Sequence, residues 1–316
     1  MPHDHHEHGH DTHGHGHGHG HTHAHVTPTH DRAFAIGFAL NAGFILAEVA
    51  AGLAAGSMAL LADAAHNLGD VLGLLLAWAA SRLARLPPTQ RRTYGWGRSS
   101  ILAALANAVL LLISVGAIGV ESIQRLIAPQ PVAEGLVMLV AAVGIVVNGL
   151  TALMFMRGRE KDLNIRGQFQ HMAADAGISF GVVVAALAIR LTGWQWLDPL
   201  VGLGIAAVIT AGTWGLLRES ADLAMDAVPG GVSREAVQDY LTTLPGVAEV
   251  HDLHIWGLST TEVAMTAHLV CLDQAAPPLP DLSAELAKRF GIGHATLQIE
   301  SHADAGLCRL RPHDVV

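Results

Sequence analysis

At 316 residues and 33.1 kDa, the chain is 51% hydrophobic and only 14% charged, with a mean hydropathy of +0.39; soluble domains average about 25% charged residues. That composition excludes a disordered chain and argues against an ordinary soluble enzyme. The formal net charge of −9 is concentrated, since residues 218–316 hold 14 acids against 6 bases, and no segment has the basic stripe of a nucleic-acid-binding protein.

Residues 1–30 carry 13 of the 21 histidines, alternating with Gly, Asp and Thr. Without an apolar run they cannot offset the entropy of ordering, so this segment is expected to be a disordered, cytosolic tail. It lacks the apolar core of a signal peptide. Two cysteines, Cys271 and Cys308, are too few for a disulfide framework and fit a reducing compartment.

Six apolar stretches follow, near 33–55, 57–82, 99–121, 132–156, 169–190 and 196–217, each close to the roughly 20 residues a helix needs to cross a bilayer. The connections at Gly56-Ser57, at Pro129 to Pro131 and around Trp194 are short, which predicts antiparallel neighbours. The loop after helix two carries Arg82, Arg85, Arg91, Arg92 and Arg98, and the loop after helix four carries Arg157, Arg159, Lys161 and Arg166; the opposite loops hold only Arg125 and Arg190. The basic loops are therefore assigned to the cytosol, together with both termini.

Beyond Arg218 the pattern becomes that of a soluble domain. SREAVQDYLTTL from Ser233 reads as a capped helix, AEVHDLHIWGL and EVAMTAHLVCL as strands joined at STT, PDLSAELAKRF as a second helix and ATLQIES as a third strand. The expected organisation is thus a tail over 1–30, a six-helix transmembrane domain over 31–217, and a cytosolic α+β domain of order αββαβ over 218–316. The predicted class is a mainly α membrane protein.

Ionisable residues at membrane depth are costly and point to function. Helix two contains Asp63, His66 and Asp70, and helix five contains His171 and Asp175. Both helices read His-x-x-x-Asp, a spacing that stacks the two side chains on one helical face. Two such faces meeting in a bundle offer two imidazoles and two carboxylates, the ligand number and type of tetrahedral Zn²⁺. The competing account is that each His bonds the Asp of its own helix and no metal is held. Asn41, Glu48 and Asn148 either line the same pathway or make interhelical hydrogen bonds; Asp63 is expected to act in helix packing or gating. Helices three and six are expected to lack buried charges and to pack through small residues.

With GSMALLADAAHNLGD in helix two, HMAAD in helix five, YGWGR in a basic loop, DPL at helix six and HDLHIW in the polar domain, the chain resembles the cation diffusion facilitator family over residues 31 to about 302. The histidine-rich start resembles its zinc-exporting bacterial branch. The resemblance implies Zn²⁺ export across the bacterial inner membrane in exchange for protons, by a homodimer with alternating access, and places the transport ligands on His66, Asp70, His171 and Asp175. It also implies that helices one, two, four and five move against a scaffold of three and six. For the cytosolic domain it implies a metallochaperone-like fold with regulatory metal at His251, His268 and Glu300, with His254 and His302 nearby; His294, His313 and Cys308 are weaker candidates. Trp96 in YGWGR argues against a metal site in that loop. No cofactor other than Zn²⁺, as cargo or regulatory ligand, is expected. A membrane-anchored zinc sensor or scaffold would account for the tail and the polar domain but not for the intramembrane tetrad, and an intramembrane metalloprotease would need a His-Glu-x-x-His that neither motif supplies.

Overall fold

The computed structural model covers residues 31–155, 163–272, 277–301 and 308, with side chains described from 42 to 153 and from 169 within those ranges. Six long helices come first: α1 (Asp31–Ala55), α2 (Met58–Ala84), α3 (Ser99–Ile127), α4 (Glu134–Phe155), α5 (Leu163–Thr192) and α6 (Leu197–Ala224). A small domain follows as α7 (Arg234–Thr242), β1 (Val247–Gly257), β2 (Val263–Cys271), α8 (Leu279–Phe290) and β3 (Ile292–Ser301). This is a helical membrane domain followed by an αββαβ domain. The expected His-rich tail and His302 and His313 lie outside the described residues, as does the side chain of Asn41.

Five of the six helices are long and apolar enough to cross a bilayer, and in α1 the described apolar stretch runs Ala42–Ala55. Leu46, Leu53, Ile113, Ile127, Leu139, Val208 and Trp214 are each more than half exposed on these helices. An outward apolar surface on this scale is what a lipid-facing bundle presents.

The helices form two groups. α1, α2, α5 and α4 pack in a closed ring, each touching the next, while α3 and α6 pack on one another and join the ring mainly through α2. The core between them is built from Ala51, Ala59, Leu60, Val115, Val137, Ala141, Val182 and Ile205, small and branched residues that let backbones approach.

The start of α2 is fixed by its neighbours. Gly56 takes φ +65°, a conformation that favours glycine, and turns the chain out of α1. Ser57 then caps α2, its Oγ accepting from Leu60 N at 3.1 Å. Across the bundle, Asp198 in the first turn of α6 accepts from Ser57 Oγ and from Met58 N, each at 2.5 Å. Gly202, one turn on, lies so close to Met58 that a Cβ there would sit 3.0 Å from the Met58 carbonyl carbon. Asp198 is 2% exposed, which corrects the expectation that helix six lacks a buried charge: it is a carboxylate placed on the positive end of the α2 dipole.

α6 continues to Ala224, beyond the apolar stretch that ends near 217, through turns bearing Arg218, Glu219 and Asp222. The small domain is a three-stranded sheet of order β1-β2-β3, with β1 and β2 antiparallel and β2 and β3 parallel. α8 supplies the crossover that parallel pairing requires. The β1–β2 connection is held by Ser259, whose Oγ accepts from Thr261 N at 3.1 Å and Glu262 N at 2.9 Å. Val237 and Leu241 of α7 and Leu282 and Leu286 of α8 cover one sheet face against Val250, Met265, Leu269 and Ile292.

This domain lies against the α2–α3 loop. Arg98 pairs with Asp226 just after α6, Thr260 N donates to Ser100 Oγ at 3.1 Å, and the Tyr94 ring meets His294 edge-on at 5.6 Å. The basic loop and the acidic domain therefore occupy the same side of the membrane.

Candidate metal centres

α2 and α5 bring His66, Asp70, His171 and Asp175 together. Each imidazole lies nearer the carboxylate of the other helix than that of its own. His66 Nε2 is 3.3 Å from Asp175 Oδ1 and 3.9 Å from Asp70 Oδ2; His171 Nε2 is 3.1 Å from Asp70 Oδ2 and 3.7 Å from Asp175 Oδ2. The alternative in which each His simply bonds its own Asp does not describe this arrangement. One donor atom from each of His66, His171 and Asp175 falls within 4.8 Å of the others. The buried Asp175 Oδ1 and His66 Nδ1 have no hydrogen-bond partner among the described residues.

The four side chains are graded in exposure. Asp175 is 2% exposed and His66 20%, whereas Asp70 is 34% and His171 38% exposed. Asp70 follows His66 along α2 towards the basic loop, and His171 precedes Asp175 on α5 on that same side. The cluster is thus open towards the cytosolic domain and closed away from it.

On the closed side, further buried polar groups adjoin the cluster. Ser179, one turn beyond Asp175, donates from Oγ to Asp63 Oδ2 at 2.9 Å, and Asn67 Nδ2 donates to Glu48 Oε2 at 3.1 Å. Asp63 is therefore bonded to α5 and Glu48 to α2, which ties three helices together next to the four-residue cluster. Asn148 is also buried, with Nδ2 unpartnered among the described residues. Ser179 and Asn67 were not singled out from sequence, since neither belongs to a motif apart from its neighbours.

A second cluster lies in the small domain. Cross-strand pairing sets His251 opposite His268, and β3 brings Glu300 beside them. His251 Nε2 is 3.1 Å from Glu300 Oε2, and His268 Nδ1 is 3.0 Å from Glu300 Oε1. Cys308 Sγ approaches His268 Nδ1 at 3.6 Å, and the four residues each offer a donor atom within 4.8 Å of the others. His254 stands apart: a bulge between His251 and His254 leaves it exposed, with Nε2 2.9 Å from Asp252 Oδ1. Asp252, which sequence reasoning passed over, sits at φ +50° and sets its other oxygen 3.4 Å from His268 Nε2. Its position between two histidines in HDLH was the available signal. Burial works to raise the Glu300 pKa, but hydrogen bonds from His251, Cys308 and Gln298 prevail and hold it below the usual carboxylate value. Burial pushes the Cys271 thiol up. In the loop after α2, Trp96 packs under the Arg92 guanidinium at 3.8 Å.

A bundle exposing apolar faces to lipid, with ligand-type residues buried inside it and open to one side, defines a membrane transporter of cations. Residues 34–223 match the cation efflux transmembrane domain, and residues 229–302 match the cation efflux protein cytoplasmic domain. The chain belongs to the cation efflux, or cation diffusion facilitator, family; it is a multi-pass membrane transporter with a cytoplasmic C-terminal domain, not an enzyme. It is 36% identical over 275 residues to the metal cation efflux system protein CzcD of Cupriavidus metallidurans, covering 86% of this chain and 87% of the relative. It is 36% identical over 271 residues to the zinc transporter ZitB of Escherichia coli, covering 83% and 85%. With the cadmium, cobalt and zinc/H(+)-K(+) antiporter of Bacillus subtilis it shares 34% identity over 289 residues, covering 87% and 91%.

Proposed function

We propose that this protein is a homodimer in the bacterial inner membrane that exports Zn²⁺ from the cytosol in exchange for protons, with His66, Asp70, His171 and Asp175 as the transport site. The observation that carries the reading is the crossed pairing of the two His-x-x-x-Asp faces. Two imidazoles and two carboxylates match tetrahedral Zn²⁺ in number and type, and none of the four is satisfied wholly within its own helix. Relatives named as zinc transporters and as a zinc-carrying antiporter support the choice of ion.

The chemistry of exchange follows from the donors. Deprotonated imidazole and carboxylate bind metal and their protonated forms do not, so metal and protons compete for one set of atoms. Imidazole, with an unperturbed pKa near 6.5, is the donor best suited to exchange close to neutral pH. The partly exposed rim of Asp70 and His171 faces the cytosolic side and would receive the ion; the buried Asp175 forms the floor. Release outward then requires the ring of α1, α2, α4 and α5 to rearrange against the α3–α6 pair, a rocking motion general to secondary transporters.

The cytosolic cluster of His251, His268 and Glu300 is read as a regulatory metal site. Its donors converge from three strands, and Asp252 holds His268 from behind, the second carboxylate that metal-binding histidines commonly have. Proteoliposomes loaded at a known pH test the transport reading: zinc added on the cytosolic side should drive proton efflux from the vesicle lumen, and vesicles holding the Asp175→Ala protein should give none. Equal proton flux with and without zinc would refute it.

A further inference from the structure

We propose that Cys308 is a metal ligand, closing the cytosolic cluster into a four-donor thiolate site contained in one protomer and suited to a resident Zn²⁺. The inference rests on the reading of His251, His268 and Glu300 as metal-binding, and adds the fourth donor and the class of site.

Three features of the cluster carry it. First, the donors converge. Tetrahedral zinc with bonds of about 2.0 Å to N and O and about 2.3 Å to S sets its donors roughly 3.3–3.8 Å apart. Cys308 to His268, at 3.6 Å, falls in that range; His268 to Glu300 at 3.0 Å and His251 to Glu300 at 3.1 Å are shorter and would open by a few tenths of an ångström around an ion, and one donor atom of each of the four residues lies within 4.8 Å of the others.

Second, His268 is held between two carboxylates. Asp252 Oδ2 lies 3.4 Å from Nε2, while Nδ1 faces Glu300 Oε1 at 3.0 Å and Cys308 Sγ at 3.6 Å. With a proton on Nε2 towards Asp252, the arrangement usual for a metal-binding histidine, Nδ1 is the atom that would take the ion.

Third, the other cysteine is excluded by the fold. Cys271 ends β2 within the apolar core of the small domain, packed with Leu269, Leu282 and Ile292. Cys308 is the thiol at the cluster.

The consequence is a division of labour. The intramembrane tetrad is built of N and O donors and stays partly open, as a site that must release its ion does. Four protein donors including a thiolate leave no open position and favour Zn²⁺, Cd²⁺ or Co²⁺ over Mg²⁺ or Ca²⁺. Such a site holds its ion rather than passing it on, as a sensor of cytosolic zinc requires.

The chain has only two cysteines, and this makes a direct test available. The full chain in detergent, demetallated and kept reduced, is titrated with Co²⁺ alone. A thiolate ligand produces an intense ultraviolet charge-transfer band, to which the histidine tail and the transport tetrad, lacking sulfur, contribute nothing. The band should appear in the wild type and in Cys271→Ala, and be lost in Cys308→Ser and His268→Ala proteins whose circular dichroism matches the wild type. A wild type with no band, or a band that survives in Cys308→Ser, overturns the proposal. If visible cobalt absorption is reduced in His268→Ala by the share of one site, the remainder belonging to the tetrad and the tail, but no charge-transfer band is ever seen, the role of Cys308 fails while the three-donor reading stands; if His268→Ala changes nothing, both fail.

Discussion

His66 on α2 lies 3.3 Å from Asp175 on α5, closer than the 3.9 Å to Asp70 one turn along its own helix. His171 shows the same preference for the opposite helix, so the four side chains form one unit shared by α2 and α5, and removing any member alters the surroundings of the other three.

Asp175→Ala is therefore expected to abolish zinc transport while the protein stays folded. Asp175 lies in a ring of helices packed largely through apolar contacts, so loss of one carboxylate should leave the bundle intact. Groups in contact couple by about 0.5–3 kcal/mol. The effects of Asp175→Ala and His66→Ala on zinc affinity should thus be non-additive in a double-mutant cycle measured by calorimetry, and additivity would place the two residues at separate sites.

His66→Asp should raise the ratio of cadmium to zinc transport. The substitution keeps a ligand on the same face of α2 but replaces imidazole with a shorter, anionic group whose variable coordination suits a larger cation. Carboxylates titrate nearer 4 than 6.5 in reference conditions, so the number of protons exchanged near neutral pH should change as well. Parallel uptake of the two metals decides the point, and an unchanged ratio would remove His66 from the selectivity machinery.

Asp198→Ala tests the contact between α6 and the start of α2. It leaves Ser57 Oγ and the Met58 amide without their buried acceptor, a loss worth about 1–3 kcal/mol. The thermal midpoint in detergent should fall, with Asp198→Asn falling less because an amide oxygen can still accept. Zinc affinity at the tetrad should persist, since Asp198 does not touch it. An unchanged midpoint in Asp198→Ala would show that the cap contributes little.

Asp252→Asn should weaken metal binding by the cytosolic cluster about 10- to 100-fold, the usual effect of losing the carboxylate behind a ligating imidazole. The comparison is best made on cobalt absorption in the full chain. An affinity within twofold of the wild type would mean that Asp252 does not orient His268.

The parts of this structure that could be read in advance are those encoded locally. Apolar runs marked the membrane helices, and the i, i+4 spacing of His66 with Asp70 and of His171 with Asp175 placed each pair on one face. Which imidazole approaches which carboxylate depends on how α2 and α5 cross, and no local pattern contains that. Asp198 looked like an ordinary residue at a helix start, because the cap it provides is for a helix beginning 140 positions earlier. The end of α6 is not marked by hydropathy for a related reason: the apolar stretch stops near Arg218, but α6 remains hydrogen-bonded to Ala224, where Met225 caps it. Strand pairing of His251 with His268 and the approach of Cys308 to both are likewise long-range facts. The alternating strands predicted the sheet, but not which side chains it would bring together.

Zinc uptake into everted membrane vesicles, measured with and without an imposed pH gradient, tests the central claim most directly. Uptake by the wild type should require the acidic vesicle interior, collapse when a protonophore dissipates the gradient, and be absent in Asp175→Ala at equal protein level. Uptake that ignores the gradient, or that persists in the Asp175→Ala protein, would contradict the account.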